Sequence, residues 1–199
     1  MKSEMAFHGV AMADVRRIAR RAVADRPPLD RATWLDTVSL MWDEATRREE
    51  RYAALAIVRL PRAGAWRDPA SLDLAEHLVV TGAWWDLVDE TAQHLVGDVL
   101  ARHRAEATPR VRAWAVADDV WLRRTSMICQ LQHRDDTDLE LLRHAIEANV
   151  EDPSFWLRKA IGWALRQHAR TDPAWVRVEI DRLGERLSPL SRREASKHL

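Results

Sequence analysis

Two tryptophans and two aspartates occur within six residues at Trp84–Asp89, in a segment without glycine or proline. If this segment is helical, Trp85 and Asp89 are four residues apart and project from the same face, one turn apart. An indole face attracts positive charge, and a carboxylate beside it neutralises that charge. The spacing therefore predicts a site for a flat, cationic ligand. The competing interpretation is that Trp85 is core and Asp89 is surface.

A further tryptophan, Trp163, has charged neighbours at helical spacing. Lys159 lies one turn before it, and Arg166 and Arg170 lie on the following turns. Indoles stack on sugars and bases while arginines hold phosphates, so this face is a candidate nucleic-acid contact. The alternative is that Trp163 packs inward and the arginines point away, and the pattern leaves both open. Four other tryptophans fall on apolar helical faces and are predicted to be core: Trp42, Trp114, Trp121 and Trp156.

Other kinds of site are excluded by their missing motifs. The sequence has no glycine-rich phosphate loop, no dinucleotide fingerprint, no HExxH zinc motif and no Gly-x-Ser-x-Gly elbow, and its histidines are scattered. The single cysteine, Cys129, excludes an internal disulfide and, in an apolar helix, is predicted to be inert core. Residues 1–13 lack a secretory signal's apolar core, and no apolar run approaches the roughly 18 residues of a membrane helix. We expect a soluble, cytoplasmic protein without metal or cofactor.

Charge is balanced overall but unevenly distributed. The 31 Lys and Arg residues equal the 31 Asp and Glu residues in number. Residues 158–199 nevertheless carry ten basic and five acidic side chains, whereas residues 32–157 carry 14 and 22. A basic C-terminal region on a neutral protein suggests a local anionic partner. Charge alone favours the simpler interpretation, which is the solvated face of the last helices.

Helices are the only regular elements that the pattern predicts. Apolar residues recur at three- and four-residue spacing between short breaks, and no stretch alternates over a strand's length. One helix is predicted to start at Thr108-Pro109, and Pro61–Pro69 is predicted to be a loop. The other predicted helices cover residues 13–24, 30–42, 46–60, 71–80, 84–104, 120–133, 138–149, 154–170, 174–187 and 188–198.

The C-terminal half is punctuated regularly. From Thr108 onward, helices open with a capping residue plus proline or with paired aspartates. Helices of roughly 10–20 residues in pairs are typical of a stacked helical-repeat array. Because no strict period exists, the repeats would be degenerate, and a globular bundle is the structural alternative. With no internal boundary or low-complexity segment, residues 1–199 are predicted to form a single domain.

Several motifs occur in the order found in one known family. The C-terminal ones are KAIGWALR at residues 159–166, Thr171-Asp172-Pro173, and LSPLSRREASKHL at residues 187–199. The upstream ones are FHGV at residues 7–10, LMWDEATRREERYAAL at 40–55, WDLVD at 85–89 and WLRRTSMICQL at 121–131. Across nearly its whole length the chain thus resembles the DNA alkylation repair family, the AlkD-like alkylpurine DNA glycosylases.

That resemblance implies a fold and an activity. The fold would be a right-handed superhelix of HEAT-like helical pairs with a concave, basic, DNA-binding face. The activity would be hydrolysis of the N-glycosidic bond of N3- and N7-alkylated purines in duplex DNA, by a monomer, without a cofactor or a deep base-flipping pocket. The family's usual first helix is expected to be shortened or missing here, which bears on affinity for DNA.

The resemblance also assigns site residues. It makes Asp89 the catalytic aspartate, Trp85 and Trp163 the site tryptophans, and Arg124 the site arginine, which is expected to hold a phosphate beside the lesion. The positions expected to bind DNA are Arg123, Lys159, Arg166, Arg170, Arg192 and Arg193.

No lysine lies near the WDLVD motif, so a covalent intermediate is not expected and the enzyme would be monofunctional. Two rival interpretations remain open. They are a catalytically inactive DNA-binding scaffold and a protein-interaction array of the same helices.

Overall fold

Polar capping residues determine where several of the helices begin. The computed structural model describes residues 5–24 and 26–199. In it the Asp30 carboxylate accepts a hydrogen bond from the backbone N–H of Thr33 at 2.8 Å. Such a cap fixes the starting residue because the first N–H groups of a helix have no partner within it. The predicted caps are confirmed at Asp30, Asp119, Asp172 and Ser188. Asp138 caps a helix in the same way, which was not predicted.

The all-α class is confirmed. Within the described residues, twelve α-helices occur, and the only extended pairing is an isolated bridge between Ala6 and Arg47. The helices are α1 Met12–Ala24, α2 Arg31–Asp43, α3 Arg48–Val58, α4 Leu72–Gly82, α5 Trp85–Thr91, α6 Gly97–Arg102, α7 Arg104–Trp114, α8 Val120–Ile128, α9 Leu139–Glu147, α10 Phe155–His168, α11 Pro173–Leu183 and α12 Pro189–Ala195. None of these helices is long and apolar enough to cross a membrane.

Two predictions based on the positions of prolines are wrong. Helix α7 begins at Arg104 and contains Pro109, so Thr108-Pro109 does not start it. Pro109 is exposed, and the apolar face of α7 is buried, so packing outweighs the backbone hydrogen bond that proline cannot donate. The segment predicted as a loop is largely ordered into two 3-10 helices, Pro61–Trp66 and Pro69–Ser71.

The long helix predicted over residues 84–104 is interrupted in the middle. Helix α5 is followed by a π-helical turn at Ala92–Val96 before α6 begins at Gly97. Such π turns are rare and are found often at functional sites. Here the turn comes directly after the WDLVD motif. No sequence signal predicted it.

Gly97 permits the close approach of α6 to the end of α8. A methyl group at this position would overlap the backbone carbonyl oxygen of Cys129. The Gly97 carbonyl oxygen also accepts a hydrogen bond from Nε2 of His133 at 2.9 Å, so the contact is fixed from both sides.

We therefore expect Gly97→Ala to lower the free energy of unfolding by about 1–3 kcal/mol, because two backbone segments would have to separate. Urea denaturation of the variant and the wild type measures this. Gly64→Ala is the control, since a methyl there would meet only the end of the Arg67 side chain at 3.6 Å. Equal stability of the Gly97 variant and the control would contradict the prediction.

The helices contact one another in a regular order. Helix α2 packs on α3, α4 on α5, α7 on α8, and α11 on α10. Helices α3, α5, α8, α10 and α12 contact one another in succession, and α1 lies on α3. Several helices thus pack on a neighbour in the chain. The HEAT-like superhelical arrangement of helical pairs remains a prediction.

Two hydrophobic clusters form the core, and α8 contributes to both. Trp42, Trp114 and Trp121 are buried as predicted, whereas Trp156 is only partly buried. Cys129 is fully buried, and burial raises the pKa of its thiol to about 12. Because the thiolate is the reactive form, the prediction of an inert core cysteine is confirmed.

Candidate active site

The first turn of α5 is anchored to α3 by an ion pair between the buried Arg48 and the partly buried Asp86. Asp86 accepts hydrogen bonds from the guanidinium of Arg48 and from the hydroxyl of Tyr52. Nε of Arg48 also donates to that hydroxyl, at 3.0 Å. Burial and the neighbouring Asp86 raise the pKa of Tyr52 to about 12, so the phenol stays protonated as a donor. This network fixes the start of the helix that carries Trp85 and Asp89.

The central feature of the site is a buried ion pair between α5 and α8. Nε of Arg124 lies 2.7 Å from Oδ1 of Asp89, and Nη2 lies 2.8 Å from Oδ2. Nη1 of Arg124 donates to the backbone carbonyl of Trp156 on α10, at 2.8 Å. Asp89 is 7% exposed and Arg124 is 3% exposed. Two parallel N–H···O bonds thus hold the carboxylate in one orientation.

Two opposing influences act on the Asp89 carboxyl. Burial raises its pKa above the usual value, and nearby Asp86 adds to that. Hydrogen bonding and charge attraction from Arg124 oppose the rise. A guanidinium is always charged, so the ionised carboxylate keeps a counter-charge even in low-dielectric surroundings. The result is a pre-oriented anion whose local field is little screened by water.

The structure places Arg124 in different surroundings from those expected of a phosphate-binding arginine. The side chain was expected to hold a phosphate, which requires an accessible guanidinium. Instead it is buried and directs its three nitrogens to Asp89 and to a main-chain carbonyl. Arg124 is therefore a positioning residue for the carboxylate, and it joins α5, α8 and α10.

The two predicted site tryptophans differ in exposure. Trp85 is 40% exposed and lies one turn before Asp89 on α5, as the spacing predicted. Trp163 is partly buried on α10 and packs against the second hydrophobic cluster. The inward-packing alternative for Trp163 is therefore partly correct, and Trp85 is the more exposed of the two.

Three further indoles form a cluster beside the ion pair. The ring centroids of Trp84 and Trp156 are 5.5 Å apart, and those of Trp121 and Trp156 are 5.2 Å apart. Trp84 and Trp121 lie 6.4 Å apart. The cluster joins the starts of α5, α8 and α10, the helices that meet at the ion pair. Packed rings with few rotamers give this part of the site a rigid support.

Glu194 on α12 organises part of the predicted DNA-binding surface. It is 4% exposed, and its two oxygens lie 2.8 Å from Lys159 and 2.8 Å from Arg166. Lys159 and Lys197 hold the pKa of the Glu194 carboxyl at about 2. The two cations are thus fixed in place rather than free to move. A substituent on Gly162 would collide with Glu194, so a glycine is needed at this helix crossing.

The remaining cations predicted to bind DNA are arranged less uniformly. Arg123 pairs with Asp152 at 2.8 Å. Arg193 is exposed and has no partner among the residues that the structure describes. Arg170 contacts the ring of His198, and Arg192 donates to the carbonyl of Gly184.

Sequence reasoning missed several residues that shape the site. The partners in the Arg48–Asp86 pair are 38 residues apart, and those in the Arg166–Glu194 pair are 28 apart. No local pattern links such positions. One sequence signal could have indicated these residues, namely a charged residue at an apolar position of a helix. A buried charge requires an opposite charge, which here comes from a distant part of the chain.

Comparisons with known proteins identify the family of this chain. The family model described as "DNA alkylation repair enzyme" matches residues 1–199. A solved structure described as a predicted DNA alkylation repair enzyme from Enterococcus faecalis is 28% identical and has a TM-score of 0.79, covering 98% of this chain and 89% of its own. A crystal structure of smu.31 from Streptococcus mutans UA159 is 18% identical with a TM-score of 0.68, covering 94% and 97%, and shows similarity of fold alone. No protein with a curated description matches significantly. The chain belongs to the DNA alkylation repair enzyme family.

Proposed function

We propose that this protein is a monofunctional DNA glycosylase that hydrolyses the N-glycosidic bond of N3- and N7-alkylated purines in duplex DNA. The observation that carries the proposal is the buried Asp89 carboxylate, oriented by two hydrogen bonds from Arg124 one turn from the exposed Trp85. Membership of a DNA alkylation repair family supports DNA as the substrate. In this proposal the protein acts as a monomer in the cytoplasm and needs no cofactor.

The difficult part of this reaction is the sugar. An N3- or N7-alkylated purine is already cationic, so it leaves with the electron pair of the bond and becomes neutral. Positive charge then develops on the deoxyribose, in an oxocarbenium-like transition state. A carboxylate fixed beside that sugar stabilises charge that exists only in the transition state, which lowers the barrier.

Water completes the reaction. Its oxygen forms a bond to C1′ of the deoxyribose as the bond to the base nitrogen breaks, and its proton passes to Asp89 or to solvent. The products are a free neutral base and an abasic site. The indole of Trp85 would pack against the sugar, with an attraction for its charge on the order of 1 kcal/mol. Trp163 would contribute less, because part of its ring faces the protein core.

Holding the duplex is assigned to the basic residues of α10 and α12. Lys159 and Arg166 are pre-positioned by Glu194 and keep further N–H donors for phosphates. Arg170 and Arg193 are exposed and available for the same purpose. Such contacts carry no sequence information, which suits an enzyme that must act wherever alkylation occurs.

The test is a base-release assay with the wild-type protein. Duplex DNA methylated to contain N7-methylguanine and N3-methyladenine is incubated with the protein, and free bases are separated and quantified. We expect release above the spontaneous rate, and none of unmodified guanine. Binding of DNA without release would overturn the proposal in favour of the inactive scaffold.

The pH dependence of base release tests the state of Asp89. The reaction needs the carboxylate, and the pKa of this group is raised mainly by burial. An ordinary aspartate has a pKa of about 3.9. As the pH is lowered, activity should therefore begin to fall at a higher pH than protonation of an ordinary aspartate would cause. The measurement is kcat/KM between pH 4 and 8, after subtraction of the enzyme-free rate. An acidic limb no higher than that of an ordinary aspartate would contradict the prediction.

A further inference from the structure

A second concave region lies alongside the helix that carries Asp89. It is a cleft of about 580 Å³, lined by the π turn, α6, the end of α3, the start of α7 and the turn after α8. Gln93 connects it to the site. Its Nε2 donates to the backbone carbonyl of Asp89 at 3.1 Å, and its Oε1 accepts from Nε2 of Gln132 at 3.1 Å. The cleft therefore begins one helical turn after Asp89 along the chain.

Two arginines give this cleft donors that are not fully used. Arg59 caps α3 and pairs through Nη1 with Glu90 at 2.5 Å. Arg104 begins α7 and donates through Nη2 to the backbone carbonyl of Asp136. A guanidinium has five N–H donors, so each arginine keeps several. Arg67 differs, because it is mostly buried and binds a carboxylate and two main-chain carbonyls.

The two histidines of the cleft add little charge. Burial is the main cause that lowers the pKa of His94 and of His133 below the usual value. Both rings are therefore largely neutral at neutral pH, and the positive charge comes from the arginines. The carboxylates of Asp98 and Asp136 also line the cleft. Their negative charge disfavours binding of a small anion that would be enclosed by the cleft.

We propose that this cleft binds the DNA phosphodiester backbone through Arg59 and Arg104, on the stretch that flanks the reacting nucleotide. The inference rests on the proposed function, because it names a contact of the same substrate. Arg59 and Arg104 come from separate helices and share one open cleft. An extended polyanion can therefore reach both without being enclosed among the carboxylates.

Glu90 opposes this binding. It follows Asp89 directly and accepts hydrogen bonds from Arg16 at 3.0 Å and from Arg59 at 2.5 Å. A phosphate that reaches Arg59 must compete with this carboxylate. Removing the charge of Glu90 should therefore strengthen binding of DNA. A substitution that improves affinity cannot be explained by loss of fold.

The experiment measures the salt dependence of binding to an undamaged duplex for the wild type, Arg59→Ala, Arg104→Ala and Glu90→Gln. Each arginine variant should reduce the slope of log Kobs against log[salt] by about 0.9, the amount for one phosphate contact. Glu90→Gln should lower Kd. The matched control is Arg186→Ala, since Arg186 is exposed and pairs with Glu147 on α9, away from the cleft. Unchanged slopes in both arginine variants overturn the inference.

A second arm separates DNA from a small anion. Inorganic phosphate is titrated while the melting temperature of the wild type and the arginine variants is recorded. Stabilisation of the wild type alone, with salt slopes for DNA unchanged, would overturn the assignment to the DNA backbone. Base release is followed in parallel. Base release with unchanged salt slopes would contradict only the proposed phosphate contact in the cleft. Reduced salt slopes without base release would contradict only the proposed glycosylase activity.

Discussion

Asp89→Asn is expected to lower kcat for release of N7-methylguanine by a factor on the order of 10²–10³, comparable to the loss of one preorganised electrostatic contact in other enzymes. The variant keeps the shape of the side chain and removes the charge that would stabilise the deoxyribose cation. Its affinity for undamaged DNA should change little, because the phosphate contacts are assigned to other residues. The measurements are single-turnover base release and fluorescence anisotropy with the same duplex.

A matched control comes from the same helix. Asp86 is also an aspartate paired with an arginine, partly buried, and it contacts Arg48 rather than Arg124. In both asparagine variants an amide group replaces one oxygen and meets a guanidinium N–H, so both should lose stability, by about 1–3 kcal/mol. Only the Asp89 variant should lose most of its activity. Equal losses of activity would show that Asp89 acts through the fold.

The helix boundaries show which structural features can be predicted from the local sequence. Asp30, Asp119 and Asp172 each bind N–H groups no more than three residues away, so their effect is local and could be predicted. Pro109 misled because its local preference was overridden by burial of the rest of α7. The π turn at Ala92–Val96 has no local signal, and it directly precedes Gly97, where α6 meets the end of α8.

The features of the site also divide into those predictable from the local sequence and those that depend on packing. Trp85 and Asp89 lie one turn apart on one helix, and that relation was predictable from spacing alone. The partner of Asp89 was not, because Arg124 is 35 residues away and its burial depends on how α5, α8 and α10 pack. The family resemblance identified Arg124 as a site residue but did not indicate its ion pair with Asp89. The same limitation concealed Glu194, whose carboxylate determines how Lys159 and Arg166 are presented.

Arg124→Ala should have the largest effect on stability. It leaves the Asp89 carboxylate buried without its counter-charge, and breaking a buried pair in this way costs about 3–5 kcal/mol. The pKa of Asp89, already raised by burial, would rise further without Arg124. The folded state then takes up a proton more readily than the unfolded state. The loss of stability should therefore be fully present at neutral pH and should shrink as the pH falls through the raised pKa.

Urea denaturation of Arg124→Ala and the wild type at pH 7 and at pH 5 measures this difference. Arg124→Lys is a useful companion, because lysine keeps the charge but cannot supply two parallel hydrogen bonds to a carboxylate. It should recover part of the stability and little of the base release. A difference between Arg124→Ala and the wild type that is the same at both pH values would show that lost packing, rather than an unpaired charge, is the cause.

Replacing both members of the pair separates stability from chemistry. Two buried charges pay a desolvation cost that their attraction barely offsets, so a well-packed apolar pair is often neutral or stabilising. Asp89→Leu combined with Arg124→Met should thus be at least as stable as Arg124→Ala and fully inactive in base release. A stable, DNA-binding double variant without activity would mean that the fold does not need this ion pair. Its use would then lie in holding a carboxylate ionised and oriented, as the proposed reaction requires.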